Sequence, residues 1–376
     1  MRIGILTFWW SKDNYGQLLQ CYALQKFLRD AGHDAFLIRY RPGISKRCVL
    51  KKFYKAFNIV KLFRFLLSRK KAHDIQKEND CHSRQFDLFF KQNIYCTEPA
   101  FYSTDDLRKD LPEADLYICG SDQIWNLASD AVKHSAFTLG FLPEWKKRIS
   151  YAASFGQSDI SKSCKEAFAP FLRKFNLVTV RENSGIDICR DMGVDADVVC
   201  DPTLLLDKTA YERLFDKSSI MEHPYVFVYL LTNPCDISVR KLKEWACKND
   251  LDFIYVTGNY GWMKCDYDDK GIERSYLTIQ QWLYHLANAE YVVTNSFHCS
   301  LFSLLFERKL GVVPLHGSLS NTNTRIDSLF ENLLCPKTEI KNNDFDTLKT
   351  IFAKGIDDGF IRKSKSVLLH FIGSIL

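Results

Sequence analysis

The sequence predicts an α/β protein made of two successive doubly wound units with a cleft between them. Three observations lead there. At 376 residues the chain exceeds what one hydrophobic core usually supports, so two domains are the natural division. Short apolar runs recur along it, each leading into a small or polar turn and then a helical pattern. One stretch, Tyr291 to Phe306 (YVVTNSFHCSLFSLLF), holds the whole pattern.

In that stretch Tyr291 to Thr294 reads as a buried strand, and Leu301, Phe302, Leu304, Leu305 and Phe306 suit a helix packed on it. Asn295, Ser296, Phe297 and His298 fall at the strand-to-helix turn. In parallel sheets such turns lie at the carboxyl ends of strands, where ligands bind. A helix start adds free N–H groups and a positive dipole end suited to phosphate or carboxylate. A histidine there can donate to an anion or move a proton near neutral pH. Taken alone, His298 reads as a helix cap or a partner for a neighbouring carbonyl.

The other elements follow in order. Arg2 to Phe8 reads as a first strand, Asp13-Asn14-Tyr15-Gly16 as a polar loop, and Gln17 to Leu28 as a helix with apolar spacing at 18, 21, 24, 27 and 28. Ala31-Gly32-His33 ends that helix, and Ala35 to Tyr40 completes a βαβ unit. The loop is not GxGxxG, so dinucleotide binding gains no support. A charged helical stretch spans about 74 to 91. Strands at 115–119, 148–152 and 177–180 then lead into Gly120-Ser121-Asp122, Ala153-Ser154-Phe155-Gly156 and Arg181-Glu182-Asn183. Asp201-Pro202-Thr203 closes this half, since proline stops regular pairing. The second half restarts at 225–231 and continues with strands at 252–257, 291–294 and 310–315, a helix at 279–289, and a loop before Arg325. The expected domains are 1–205 and 206–376.

Composition narrows the function classes. The chain is 46% hydrophobic and 26% charged, as a globular protein is. Met1-Arg2 runs directly into Ile3 to Leu6, so no secretory signal is expected, and no apolar run approaches a membrane span. The thirteen cysteines are scattered without a CxxC pair. Several, including Cys21, Cys119 and Cys200, lie inside apolar patterns as buried thiols of a reducing cytoplasm do, so neither a metal site nor a disulfide framework is expected. Residues 46–71 hold ten Lys or Arg and no acid; removing those ten from the net +6 leaves the rest at −4. The positive excess is local.

Six segments in order resemble the polysaccharide pyruvyl transferase family: NYGQLLQCYAL (14–24), CGSDQIWN (119–126), SYAASFG (150–156), TVRENSG (179–185), CDPTLLL (200–206) and VVTNSFHCSLFSLLF (292–306). The resemblance implies two Rossmann-like domains in a glycosyltransferase-B-like arrangement. It also implies transfer of the pyruvyl group of phosphoenolpyruvate to a sugar as a ketal, with no cofactor beyond that co-substrate. On it, His298 and Asp122 are the expected catalytic residues, His298 as general acid or phosphate ligand and Asp122 as a base for sugar hydroxyls. Arg181, Asn295, Ser296 and Arg325 are expected on the donor side, an ion pair with Glu182 or another acid being the alternative for Arg181; Asp13, Asn14, Gly16 and Gln17 on the acceptor side, with Asp13 a second possible base. Many members carry arginine where this chain has Ser296; Arg325 could supply that charge, or equally be a surface arginine near a helix start.

Two other classes stay open: a nucleotide-sugar glycosyltransferase of the same architecture, and a non-catalytic saccharide-binding assembly protein that lost donor binding. The basic stretch suggests peripheral contact with an anionic membrane on its cytoplasmic face, where a lipid-linked saccharide acceptor would be presented. Phe53, Ala56, Phe57, Val60, Phe63 and Leu67 form its apolar stripe, interrupted by Arg64; a helix packed on its own domain explains the pattern nearly as well. No recognisable nucleic-acid module accompanies the charge.

Overall fold

The computed structural model describes residues 1–43, 82–98, 100–132, 134–218, 220–231, 236–258 and 271–375. The basic stretch 46–71, with its membrane stripe, lies outside the described residues.

Strands β1 (Arg2–Leu6), β2 (Asp34–Leu37), β3 (Leu116–Cys119) and β4 (Lys147–Ser150) form a parallel sheet in the order β2-β1-β3-β4. Two short parallel strands, β5 (Thr179–Val180) and β6 (Asp197–Val198), continue it through bridges Ile149–Leu177 and Ala153–Val180. A second parallel sheet contains β7 (Tyr225–Leu230), β8 (Asp252–Thr257), β9 (Tyr291–Thr294) and β10 (Lys309–Val312), ordered β10-β9-β7-β8. Taken from its other edge, β8-β7-β9-β10 repeats the connectivity of β2-β1-β3-β4. Each sheet therefore has a topological switch point, beside β1/β3 and beside β7/β9, where parallel α/β sheets place ligands. The strands are buried on both faces, which is why β3 (LYIC) and β7 (YVFVYL) read as continuous apolar runs.

Four expected strands stop at least two residues short of their carboxyl ends: 2–8 at Leu6, 35–40 at Leu37, 148–152 at Ser150 and 310–315 at Val312. The expected strand 148–152 ends at Ser150, and Ala152 already has φ 51°. There the backbone leaves the sheet to form the turns that carry the site.

Six helices position the site or join the halves: α1 (Tyr15–Asp30), α2 (Asn183–Asp191), α3 (Ile279–Asn288), α4 (Phe297–Leu305), α5 (Asn323–Asn332) and α6 (Gly359–Ser374). Helix α1 begins two residues before the expected start because the Asn14 side chain accepts from Gln17 N and caps it. Ser296 caps α4 in the same way, so Phe297 and His298 belong to its first turn.

One hydrophobic cluster runs through both halves, joining Leu18, Leu19 and Tyr22 of α1 to Trp282, Leu286 and Phe302 of α3 and α4. Tyr15 enters the second half directly. Its ring stacks on Trp282 with centroids 5.0 Å apart, and its hydroxyl donates to Leu277 O at 2.7 Å. Burial pushes that hydroxyl up to about 12, so it stays a donor at neutral pH. At the other end of the chain, α6 returns to the first half, where Ser364 Oγ accepts from Cys200 N at 2.9 Å.

Because Trp282 is fully buried where the halves meet, Trp282→Ala is expected to cost about 3–5 kcal/mol. Urea unfolding should show the loss as one earlier transition by both fluorescence and far-ultraviolet circular dichroism. Two separated transitions would show that the halves unfold independently.

Candidate active site

The carboxyl ends of four first-sheet strands deliver short polar segments to one place: Ser121 after β3, Ser154 after β4, Arg181 and Glu182 after β5, and Asp201 after β6. Asp201 is the partner that Ser121 and Arg181 share. It caps the 3-10 turn Pro202–Leu205, its Oδ1 accepting from Thr203 N at 3.0 Å and from Thr203 Oγ1 at 2.8 Å. Its Oδ2 accepts from Arg181 Nη1 at 3.0 Å and from Ser121 Oγ at 3.1 Å. His298 Nε2 approaches the same oxygen to 3.4 Å.

Arg181 is buried and engaged on three sides. Its Nε donates to Glu182 Oε1 at 3.0 Å, its Nη1 to Asp201, and its guanidinium carbon lies 4.2 Å from the Phe297 ring centroid. Glu182 also accepts from Ser154 Oγ at 2.7 Å. Burial works against the charge on Arg181, yet Glu182, Asp201 and Asp122 hold its pKa above the ordinary value. Burial likewise works against the Asp201 carboxylate, but its interactions with His298 and Arg181 and the Thr203 N–H outweigh it and hold its pKa well below the usual range. Removing one member of such a buried set leaves the others uncompensated, at a cost of about 3–5 kcal/mol.

His298 reaches this cluster from the second half on the first turn of α4, and it is 7% exposed. A Cβ built on Gly16 would overlap the Nδ1, Cγ and Cβ atoms of its side chain. Glycine is therefore required at the start of α1 for the imidazole to lie there. Its Nε2 lies within ion-pair reach of Asp201 but makes no hydrogen bond among the described residues, and Arg181 Nη2 likewise has no hydrogen-bond partner there. Catalytic hydrogen bonds are often long before a substrate binds and tighten in the complex.

The structure brings together His298, Arg181, Gly16 and Asp122. Asp122 is 6% exposed at φ 68°, its Oδ1 accepting from Gln123 N at 2.9 Å, and its charge acts on Arg181. Asn295 stands at the second switch point, its Oδ1 accepting from Leu231 N at 2.8 Å. Ser296 is occupied as the cap of α4. Asp13, Asn14 and Gln17 tie the α1 turn to itself: Ser11 Oγ donates to Asp13 Oδ1 at 2.8 Å and Ser11 N to Gln17 Oε1 at 2.7 Å. Arg325 sits on α5, with Nε donating to Thr322 O at 3.3 Å.

Sequence reasoning missed Asp201, Ser121 and Gln20, while the Arg181–Glu182 pair is the alternative it left open. The Gln20 side chain bolts the first switch point, bonding Thr7 and accepting from Ser121 N at 3.2 Å. The signal for Asp201 was present: Asp-Pro-Thr after a strand is a cap followed by proline at a helical start. Among the described residues, no group of three or more His, Cys, Asp or Glu is placed to hold a metal ion, and no helix is long and apolar enough to cross a membrane.

The sequence pattern of polysaccharide pyruvyl transferases matches residues 14–314, a span that includes every element of this cluster. The chain belongs to the polysaccharide pyruvyl transferase family. It is accordingly a transferase. Similar solved structures include the UDP-GlcNAc 2-epimerase of Methanocaldococcus jannaschii in complex with UDP-GlcNAc and UDP, 10% identical over 100% of both chains with a TM-score of 0.52. Another is the UDP-N-acetylglucosamine 2-epimerase of Rickettsia bellii, 9% identical over 100% of this chain and 97% of that one, with a TM-score of 0.53. At such identities the likeness concerns the fold alone. That fold is the glycosyltransferase-B-like pair of Rossmann-like domains the resemblance implied. No curated protein matches the sequence.

The depressed pKa of Asp201 has a pH consequence in this pyruvyl transferase family member. A carboxylate held below its unfolded value of about 3.9 stabilises the fold fully above that pH and loses the contribution as pH falls toward the folded value. Asp201→Asn should therefore be less stable than wild type at pH 7, with the gap narrowing below about pH 4. Urea titrations from pH 7 to 3 measure it; a gap that stays constant would place the effect outside this ionisation.

Proposed function

We propose that this protein transfers the pyruvyl group of phosphoenolpyruvate to two hydroxyls of a hexose in a surface-polysaccharide precursor, releasing phosphate and leaving a ketal. The observation that carries this reading is His298, seated on Gly16 with Nε2 turned to a buried carboxylate. A carboxylate at one ring nitrogen leaves the other for proton transfer.

The reaction needs that arrangement. Protonating the donor's methylene carbon leaves positive charge at C2, where the first sugar hydroxyl adds and gives up its proton. Phosphate then departs, the second hydroxyl adds at the same carbon, and its proton leaves with the phosphate. In this reading His298 Nδ1 gives the first proton and takes back that of the first hydroxyl, while Asp122 serves the second. Asp201 holds the imidazole, and the negative charges around Arg181 favour the positive C2. Residues 206–376 bring the α4 turn to the donor, while Asn14 and Gln17 of residues 1–205 face the acceptor. The basic stretch 46–71 suits an acceptor presented on a lipid carrier at an anionic membrane face.

The test incubates the protein with phosphoenolpyruvate and a hexoside, and separately with nucleotide sugars, following phosphate release and the ketal methyl signal by nuclear magnetic resonance. Ketal formation with equimolar phosphate is expected only with phosphoenolpyruvate. His298→Gln should bind the donor yet lose about 10²–10⁴-fold in turnover. Sugar transfer from a nucleotide donor, with none from phosphoenolpyruvate, would replace this reading.

A further inference from the structure

Arg181 is already matched by two carboxylates, so the cluster around Asp201 has little positive charge left for an anionic donor. A second buried arginine lies on the other side of the same turn. Arg84 is 3% exposed, and its hydrogen bonds are to carbonyls: Nη2 to Thr257 O at 2.9 Å and Nη1 to Asp13 O at 3.5 Å. Its guanidinium carbon lies 5.8 Å from the Tyr15 ring centroid and 5.3 Å from that of Tyr276. The contacting atoms, two carbonyl oxygens and two aromatic rings, carry no formal charge. Among the described residues no carboxylate forms an ion pair with Arg84, and its Nε has no hydrogen-bond partner.

We propose that Arg84 is the anion anchor of the site, taking a phosphoryl dianion beside the N-terminus of α1. A buried cation without a counter-charge is costly, and a bound anion removes that cost. The planar fork suits a phosphate better than a point charge does, and its orphaned Nε is one arm of that fork. The amino end of α1 adds a favourable dipole. Arg84 grips the turn at Asp13 and Tyr15, while His298 rests on Gly16, so anion and acid flank four consecutive residues. Exposed His82 stacks on Tyr276 at 4.3 Å, marking the solvent side of the guanidinium. With phosphoenolpyruvate as the dianion's source, the assignment rests on the pyruvyl-transfer reading; with another phosphate it stands apart from it.

Titrating inorganic phosphate, phosphoenolpyruvate and UDP at constant ionic strength, with thermal stabilisation and calorimetry as readouts, separates the two. Wild type should bind inorganic phosphate saturably, and Arg84→Gln should bind it at least tenfold more weakly. If Arg84→Gln does not fold, Arg84→Lys decides, since it keeps the charge and loses the fork: a tenfold weakening supports the anchor, and unchanged phosphate affinity overturns it. Absence of phosphate binding to wild type overturns it too. Phosphate or UDP binding that depends on Arg84, with no phosphoenolpyruvate binding to wild type, upholds the anchor and removes the donor reading. Equal phosphoenolpyruvate affinity in wild type and Arg84→Gln upholds the donor reading and removes the anchor.

Discussion

The structure depends on one buried carboxylate. Asp201 accepts from Arg181 on one strand end, Ser121 on another and Thr203 in its own turn, and it faces His298 from the opposite half of the chain. Its partners come from segments that share no sequence neighbourhood, so it fixes the relative placement of three strand ends and of α4. A charge this deep is tolerable only because opposite charge and hydroxyl donors surround it. Packing supplies the same constraint a second time. Tyr15 enters the core beside Trp282, and α6 comes back to Cys200, next to Asp201 itself.

Much of this was legible in the sequence. The strands at 252–257 and 291–294 coincide with their apolar runs, because strands buried on both faces leave an unbroken signature. The turn at Asn295 to His298 was readable for the same reason: a buried strand and a buried helix leave few residues between them. The end of the strand expected at 148–152 was less legible, since the backbone leaves the sheet after Ser150 to bring Ser154 to the site. Asp201 was visible only as a cap. Its other role depends on residues at 121, 181 and 298, and one sequence carries no signal for such distant pairing. Arg84 was hidden differently. It falls within the charged stretch near 74–91, where one more arginine reads as a solvated face, and only its burial sets it apart.

The charges around the site have a division of labour. Near His298 the balance is negative or neutral, with Glu182, Asp201 and Asp122 around Arg181. That environment favours a carbon bearing positive charge; it does not favour an extra anion. Ser296 fits this pattern, since an uncharged cap of α4 adds no cation where many family members have one. Positive charge lacking a described carboxylate partner is found instead at Arg84, across the α1 turn.

The central claim is that Asp201 holds the imidazole by Nε2 and leaves Nδ1 for proton transfer. Long-range proton–nitrogen correlation spectra of the protein labelled with ¹⁵N-histidine report this directly, with His298→Gln to assign the signal. The account predicts a proton held on Nε2, facing Asp201, whether or not Nδ1 also carries one, and loss of that preference in Asp201→Asn. A ring protonated at Nδ1 alone in the wild type, or a tautomer indifferent to Asp201→Asn, would contradict it.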